Sequence, residues 1–310
     1  MDSDARRTGW PLVSLAAMLW ASDLVLRPKA QAAGISSIQI VLFEHLALAV
    51  IFIPFLALRR AEWTGLSFKN WLGILFIAVF GSALATIMLT EAYRLGSPLL
   101  TILLQKVQPV VAVALAGVAL KEKRKPLFWP LFVLALVATY LLAFGFAGIE
   151  SAFESPQLAS ILLALGAATI WGTCTVVGRA AIKDLSPPVM AGWRFIIALP
   201  FLVLANFGVP APTGAHVSVD GLWPIALIVL LPDALGMTLY YLGLKRTPAS
   251  LAALAELAFP VTALVLGLIS SPSTLQIGQW VGLVLLLACL QAIQATKSVE
   301  QEPTLAPQAG

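Results

Sequence analysis

The chain has 310 residues, 60% of them apolar and only 11% charged, with a formal net charge of +4 and a mean hydropathy of +0.94. A water-soluble domain carries about 25% charged residues, and so much apolar sequence cannot be folded into one soluble core, which excludes an ordinary soluble protein and points to the bilayer. The positive excess is not a nucleic-acid footprint, because the basic residues sit in short stretches between apolar runs.

Crossing the hydrocarbon takes about 20 apolar residues in a helix. Runs of that kind predict helices over 11–30, 36–58, 70–94, 97–119, 126–147, 156–181, 188–208, 221–245, 249–271 and 275–296. Turn and charge signals mark the breaks: Arg27-Pro28-Lys29, Arg59-Arg60, Gly96-Ser97-Pro98, Lys121 to Pro126, Glu154-Ser155-Pro156, Ser186-Pro187-Pro188, Thr247-Pro248 and Ser271-Pro272-Ser273. The polar, Pro-containing stretch 298–310 reads as a disordered tail. Arg6-Arg7, the apolar run after it and Ala30-Gln31-Ala32 imitate a secretory signal and its cleavage site. Asp23, Arg27 and Lys29 interrupt that pattern, and cleavage would remove a helix with a partner later in the chain, so the first span is expected to stay.

Orientation follows from the cytoplasmic bias of Lys and Arg. With the N-terminus inside, the inner side holds Arg6, Arg7, Arg59, Arg60, Lys69, the basic residues of 121–125, Arg179, Lys183, Lys245, Arg246 and Lys297. The outer side holds Arg27, Lys29 and Arg94, while Lys106 and Arg194 lie within helices. Both termini are therefore expected in the cytoplasm, in agreement with an even number of spans.

The chain also repeats. An offset of 151 residues brings Trp20 onto Trp171, Pro109 onto Pro260 and Arg94 onto Lys245; an offset of 150 brings Phe43-Glu44 onto Trp193-Arg194. Each half, 1–150 and 151–297, holds five predicted helices. Because five is odd, the second half enters from the opposite face. Inverted repeats of this kind enclose a midplane site in many secondary transporters. The fold class expected is thus all-α integral membrane, with ten transmembrane helices as two inverted five-helix repeats around a central cavity.

These features resemble the drug/metabolite transporter superfamily: ten helices in two halves, a Trp in the first helix of each, Pro midway along helices four and nine, Trp193-Arg194-Phe195 in helix seven, and Glu122 closing helix four. Within it the chain looks most similar to bacterial inner-membrane exporters of aromatic amino acids. Three positions depart from the superfamily pattern: Glu44 stands where Arg is frequent, Lys121 replaces a Gly, and helix nine ends in Ser270-Ser271-Pro272 without an acid.

A charge at mid-membrane costs at least about 2.5–3.5 kcal/mol and normally faces protein or water with a partner. Depth along the helices predicts two buried ion pairs, Glu44–Lys106 toward the periplasm and Arg194–Glu256 toward the cytoplasm. They read as gates, as anchors for the charged ends of a zwitterion, or as fixed pins between helices. Asp233 follows Pro232 and is a proton site or a cap for backbone freed by the proline. His45 is a second proton site or a substrate ligand. Ser82, Thr86, Thr90 and Tyr93 form one helical stripe, and Thr101, Gln105, Gln108 and Ala112 another. Trp20 and Trp171 lie away from the interfacial belts and either line a cavity or pack. Pro109 and Pro260 read as hinges. The substrate-binding set expected is Trp20, His45, Thr86, Thr90, Gln108, Trp171, Tyr240 and Tyr241. Ala164, Ala168 and Gly172 read as a packing row.

Cys174 and Cys289 fall in apolar runs and behave as small hydrophobes. With His45 and His216 the only histidines, no metal site is expected, nor any cofactor. No GxxxxGK[ST], HExxH or GxSxG run occurs, which disfavours ATP coupling within this chain and enzyme activity. The reading is a monomeric alternating-access transporter of the bacterial inner membrane that exports small organic solutes. The resemblance implies aromatic or other bulky apolar amino acids. An uncoupled facilitator or channel, or an exporter of other metabolites or drugs, is the alternative.

Overall fold

The computed structural model describes residues 9–119, 126–147, 156–181, 186–208, 219–244, 255, 258–270 and 275–298. Among them every regular element is helical. The first expected helix is two: α1 (Trp10–Trp20) and α2 (Asp23–Ala32). Tight turns at Ala21–Ser22 make the break, with the Ser22 hydroxyl donating to the Leu19 carbonyl at 2.6 Å. The helix then runs through Pro28 rather than ending there. As a result Arg27, expected on the outer side beside a break, is a buried residue within a helix at 3% exposure.

Gly34, at φ 87°, turns the chain into α3 (Ser37–Leu58), which starts on a capping box between Ser36 and Gln39. A short α4 (Arg60–Trp63) leads to α5 (Phe68–Phe76), capped by Ser67. An eight-residue π-helix, π1 (Ile77–Leu84), joins α5 to α6 (Ala85–Leu95). Next come α7 (Pro98–Leu104), capped by Ser97, a 3-10 turn (Gln105–Val107) and α8 (Gln108–Ala119). Then follow α9 (Phe128–Phe144), α10 (Pro156–Ala181), α11 (Pro187–Phe207) and α12 (Leu222–Ile228). A second eight-residue π-helix, π2 (Val229–Gly236), leads into α13 (Met237–Leu244), and α14 (Ala258–Ser270) and α15 (Ile277–Ser298) end the described chain.

Among the described residues, five segments are long and apolar enough to cross a membrane: Ser37–Leu58, Phe68–Leu95, Pro156–Cys174, Pro188–Phe207 and Leu222–Tyr240. Shorter apolar helices include Trp129–Leu142 and Ile277–Cys289. Large apolar side chains stand exposed along several of these helices, among them Val50, Leu58, Phe68, Leu204, Phe207 and Ile269. In water such surface would drive association; against lipid tails it is the required surface.

The packing crosses the chain from end to end. α1 packs on π2, α13 and α14, while α10 packs on π1, α6 and α8. α3 lies along α11, and α9 along α15. Close approach depends on small residues, since lipid offers no hydrophobic drive for helices to associate. Ala164, Ala167 and Ala168 are fully buried, and a Cβ on Gly172 would come within 2.9 Å of the Gln108 carbonyl. The tightest contact is at Gly282 in α15, where a Cβ would meet the Leu142 nitrogen at 2.3 Å and the Ala138 carbonyl at 2.7 Å.

Both obstacles at Gly282 are backbone, so the helices themselves must separate. Gly282→Ala is therefore expected to destabilise by about 1–3 kcal/mol, read as a lower melting temperature in detergent. Gly65→Ala, where the added atom meets nothing within 4 Å, serves as the neutral control.

Candidate functional site

A cavity of about 610 Å³ opens among α1, α2, α3, π1, α6, α8, α10, α11, π2, α13 and α14. That volume is within the range of about 300–1,000 Å³ typical of small-molecule sites. Its wall joins aromatic faces (Trp20, Trp171, Phe195, Tyr240, Phe259) to charged groups of both signs: Asp23, Glu44 and Asp233, with Arg27, Lys106 and Arg194.

Arg27 organises one side of this chamber. Its Nη2 lies 3.0 Å from Glu44 Oε2 and its Nε 3.3 Å from Asp23 Oδ1, one helical turn earlier. Its Nη1 donates to Thr90 Oγ1 at 3.0 Å, and that hydroxyl donates back to the Thr86 carbonyl at 2.7 Å. The network continues outward. Gln31 donates to the Thr90 carbonyl at 2.6 Å, Ser37 donates to Glu91 at 2.6 Å, and Glu91 pairs with the exposed Arg94. Polar contacts thus tie α2, α3 and α6 together from the chamber to the surface.

The helix-seven run is divided among three surroundings. Trp193 packs edge-on against both Trp63 and Trp71, at 4.9 and 5.0 Å between ring centroids. Arg194 turns to the cavity and donates through Nε to Ser82 Oγ at 2.6 Å. Phe195 stands edge-on to His45 at 5.3 Å. His45 Nδ1 lies 2.8 Å from the Val41 carbonyl; in the neutral ring that nitrogen carries the proton and Nε2 is left as an acceptor. His45 Nε2 and Asp233 Oδ2 are buried atoms of the cavity wall without a hydrogen-bond partner among the described residues. Lys106 places its ammonium 3.5 Å from the centre of the Phe259 ring, within cation–π range.

Of the expected site residues, Trp20, His45, Thr86, Gln108, Trp171 and Tyr240 line this cavity together with Glu44, Lys106, Arg194 and Asp233. Thr90 acts one step behind it, on Arg27. The expected Glu44–Lys106 pair gives way to Glu44–Arg27. Depth along the helices compares only charges well inside them and leaves out Arg27, which the Arg27-Pro28-Lys29 signal assigns to the outer side. Glu256, and with it the Arg194–Glu256 pair, lies outside the described residues, as do the side chains of Tyr241, Pro109 and Pro260. Pro109 stands near the start of α8, directly after the 3-10 turn. Sequence reasoning missed Asp23 and Arg27 as chamber residues. The available signal was their i, i+4 spacing inside an apolar run.

An apolar helical shell around a chamber lined with charge and aromatics is the construction of a membrane carrier for small solutes. Residues 7–144 and again 158–292 match the EamA-like transporter family, and the chain belongs to that family, within the drug/metabolite transporter superfamily. It is 31% identical over 267 residues to the riboflavin transporter ImpX of Fusobacterium nucleatum, covering 82% of this chain and 86% of that protein. It is 26% identical over 257 residues to the uncharacterized transporter YwfM of Bacillus subtilis, covering 77% and 80%. The fold is similar to that of a solved crystal structure, with a TM-score of 0.63 at 17% identity over 95% of this chain and 100% of the other. Neither relative is named as an aromatic amino-acid exporter, so the narrower resemblance gains no support from them.

Removing one partner of a buried ion pair leaves the other charge uncompensated, at a cost of about 3–5 kcal/mol. Arg27→Met is therefore expected to lower the melting temperature sharply. Adding Glu44→Gln to that variant is expected to recover part of the loss. If the double variant melts no higher than Arg27→Met, Glu44 is not the group that Arg27 neutralises.

Proposed function

We propose that this protein is a ten-span secondary transporter of the bacterial inner membrane, built as two inverted five-helix halves. It moves a planar, polar heteroaromatic solute of the riboflavin type through the central chamber by alternating access. The observation that carries the reading is the composition of the chamber wall. Trp20, Trp171, Tyr240 and Phe259 offer flat apolar surface suited to a ring system. His45 Nε2 and Asp233 Oδ2 offer buried acceptors to the N–H and O–H groups of such a solute. A relative of similar length named as a riboflavin transporter supports the substrate class. The double match of the family supports the repeat, as does the reciprocal packing of α1 on π2 and α13 and of α10 on π1 and α6.

One observation favours a second substrate. Carboxylates and cations share the wall, an arrangement that suits the two ends of an amino-acid zwitterion. In this reading the aromatic faces hold the side chain, and Arg27 and Asp233 face the charged ends.

Uptake and efflux in proteoliposomes separate the two. Labelled riboflavin should be transported saturably and exchange with unlabelled riboflavin, whereas excess phenylalanine or tryptophan should compete weakly. The reverse ranking selects the amino-acid reading. Flux that neither saturates nor exchanges indicates a channel instead. His45→Ala and Asp233→Asn should each raise the KM for the preferred solute about tenfold, the worth of one buried hydrogen bond. Reporter tags at the two chain ends should both report the cytoplasmic face.

A further inference from the structure

Lining the chamber does not exhaust the role of the two tryptophans. Trp20 Nε1 donates to the Pro232 carbonyl at 3.1 Å, and Trp171 Nε1 donates to the Gly81 carbonyl at 2.8 Å. Pro232 belongs to π2 and Gly81 to π1. Trp171 follows Trp20 by 151 residues, and Pro232 follows Gly81 by the same 151. Each indole therefore reaches from the first helix of its own half into a π-helix of the other half, and the two bonds are repeat mates at donor and acceptor alike.

The chemistry explains why an indole is wanted at these points. In a π turn the backbone pairing slips from i−4 to i−5, as the Ala85 N–H to Phe80 carbonyl bond shows at the end of π1. A carbonyl at such a slip takes a side-chain donor, since mid-membrane there is no water to supply one; the Gly81 carbonyl accepts from Thr86 Oγ1 at 3.4 Å and, at the shorter 2.8 Å, from Trp171 Nε1. The indole N–H is a donor only, on a rigid apolar plate. Space is reserved for one of the two contacts. A Cβ on Gly236 would lie 3.1 Å from Trp20 Nε1 and 3.3 Å from its Cδ1.

We propose that Trp20 and Trp171 are paired latches, whose N–H···O=C bonds hold π2 and π1 against the opposite half and so set the balance between the two facing states of the transporter. The proposal rests on the inverted-repeat reading above. A pseudo-two-fold axis in the membrane plane exchanges the latches and also exchanges inside with outside. Loosening one latch therefore biases the carrier toward one face, and loosening the other biases it toward the opposite face. Through these N–H bonds, as distinct from their ring faces, both residues act by positioning the helices that carry other substrate-facing groups; Asp233 is next to the acceptor Pro232 in π2, and Ser82 is next to the acceptor Gly81 in π1.

The test uses Cys174, which lines the chamber, as a native reporter in a Cys289→Ala background. A membrane-impermeant maleimide is applied to one face or the other of oriented proteoliposomes, and the ratio of the two labelling rates is measured. Trp→Phe keeps an aromatic ring and removes the indole N–H, and the loss of ring area that goes with it is common to both variants. Trp20→Phe and Trp171→Phe should move that ratio in opposite directions, each by about 5–10-fold, the worth of one hydrogen bond. The double variant should return it close to the parent value. Gly236→Ala, which crowds the Trp20 indole, should shift the ratio in the same sense as Trp20→Phe. Shifts of the same sign, or lower melting temperatures with an unchanged ratio, make both tryptophans mere packing and overturn the latches. Transport by the parent is measured alongside: absence of saturable flux overturns the transport chamber itself, and the latches with it, whereas intact flux with an unmoved ratio overturns the latches alone.

Discussion

Hydrocarbon supplies no hydrogen-bond partners, so polar atoms inside this protein look for them within the chain or gather around its chamber. That constraint accounts for most of the side-chain geometry. Hydroxyls along the helices bond back to the preceding turn, as Thr90 does to Thr86 and Thr139 to Ala135. The guanidinium of Arg27 is divided among Asp23, Glu44 and Thr90, and the indoles of Trp20 and Trp171 serve backbone carbonyls. Groups too strongly charged to be absorbed singly are gathered around one chamber, where opposite signs offset one another.

Such a chamber does two jobs through the same atoms. A buried charge pair adds little net stability but is costly to break, so the Arg27 network holds α2, α3 and α6 in one arrangement while it stands. The π-helices are the looser elements of the wall. Each interrupts a membrane-length segment near its middle, Phe68–Leu95 and Leu222–Tyr240, and each lies beside residues that face the cavity. A carrier needs this combination of pinned helices and segments able to re-pair their backbone without exposing a bare carbonyl to lipid.

The chamber also bears on what is carried. Aromatic plates with isolated buried acceptors favour a solute that is flat and rich in donors, while the mixed charges would serve a zwitterion equally well. The similarity to a riboflavin transporter weighs toward the first, and the substrate reading drawn from resemblance alone pointed to the second. Shape and hydrogen-bond inventory discriminate between them better than charge does, because the wall carries both signs.

Membrane residence, the helical class and most helix ends were legible in the residues themselves. Hydropathy runs, prolines and Ser caps act locally, and α3 and α10 fall where the apolar runs place them. The matched tryptophans and most of the chamber residues were legible for a related reason: a polar or aromatic side chain deep in an apolar run has few places to go. Partner choice was not. Glu44 meets Arg27 rather than Lys106, because α2 runs on through Pro28 and packs against α3, an adjacency that depth along single helices does not reveal. The π turns and the bonds from Trp20 to Pro232 and from Trp171 to Gly81 also came only from the fold. They join residues 212 and 90 positions apart, and which carbonyl a helix leaves for an indole depends on backbone register and on the helix packed opposite it, neither of which is a property of any one stretch of sequence.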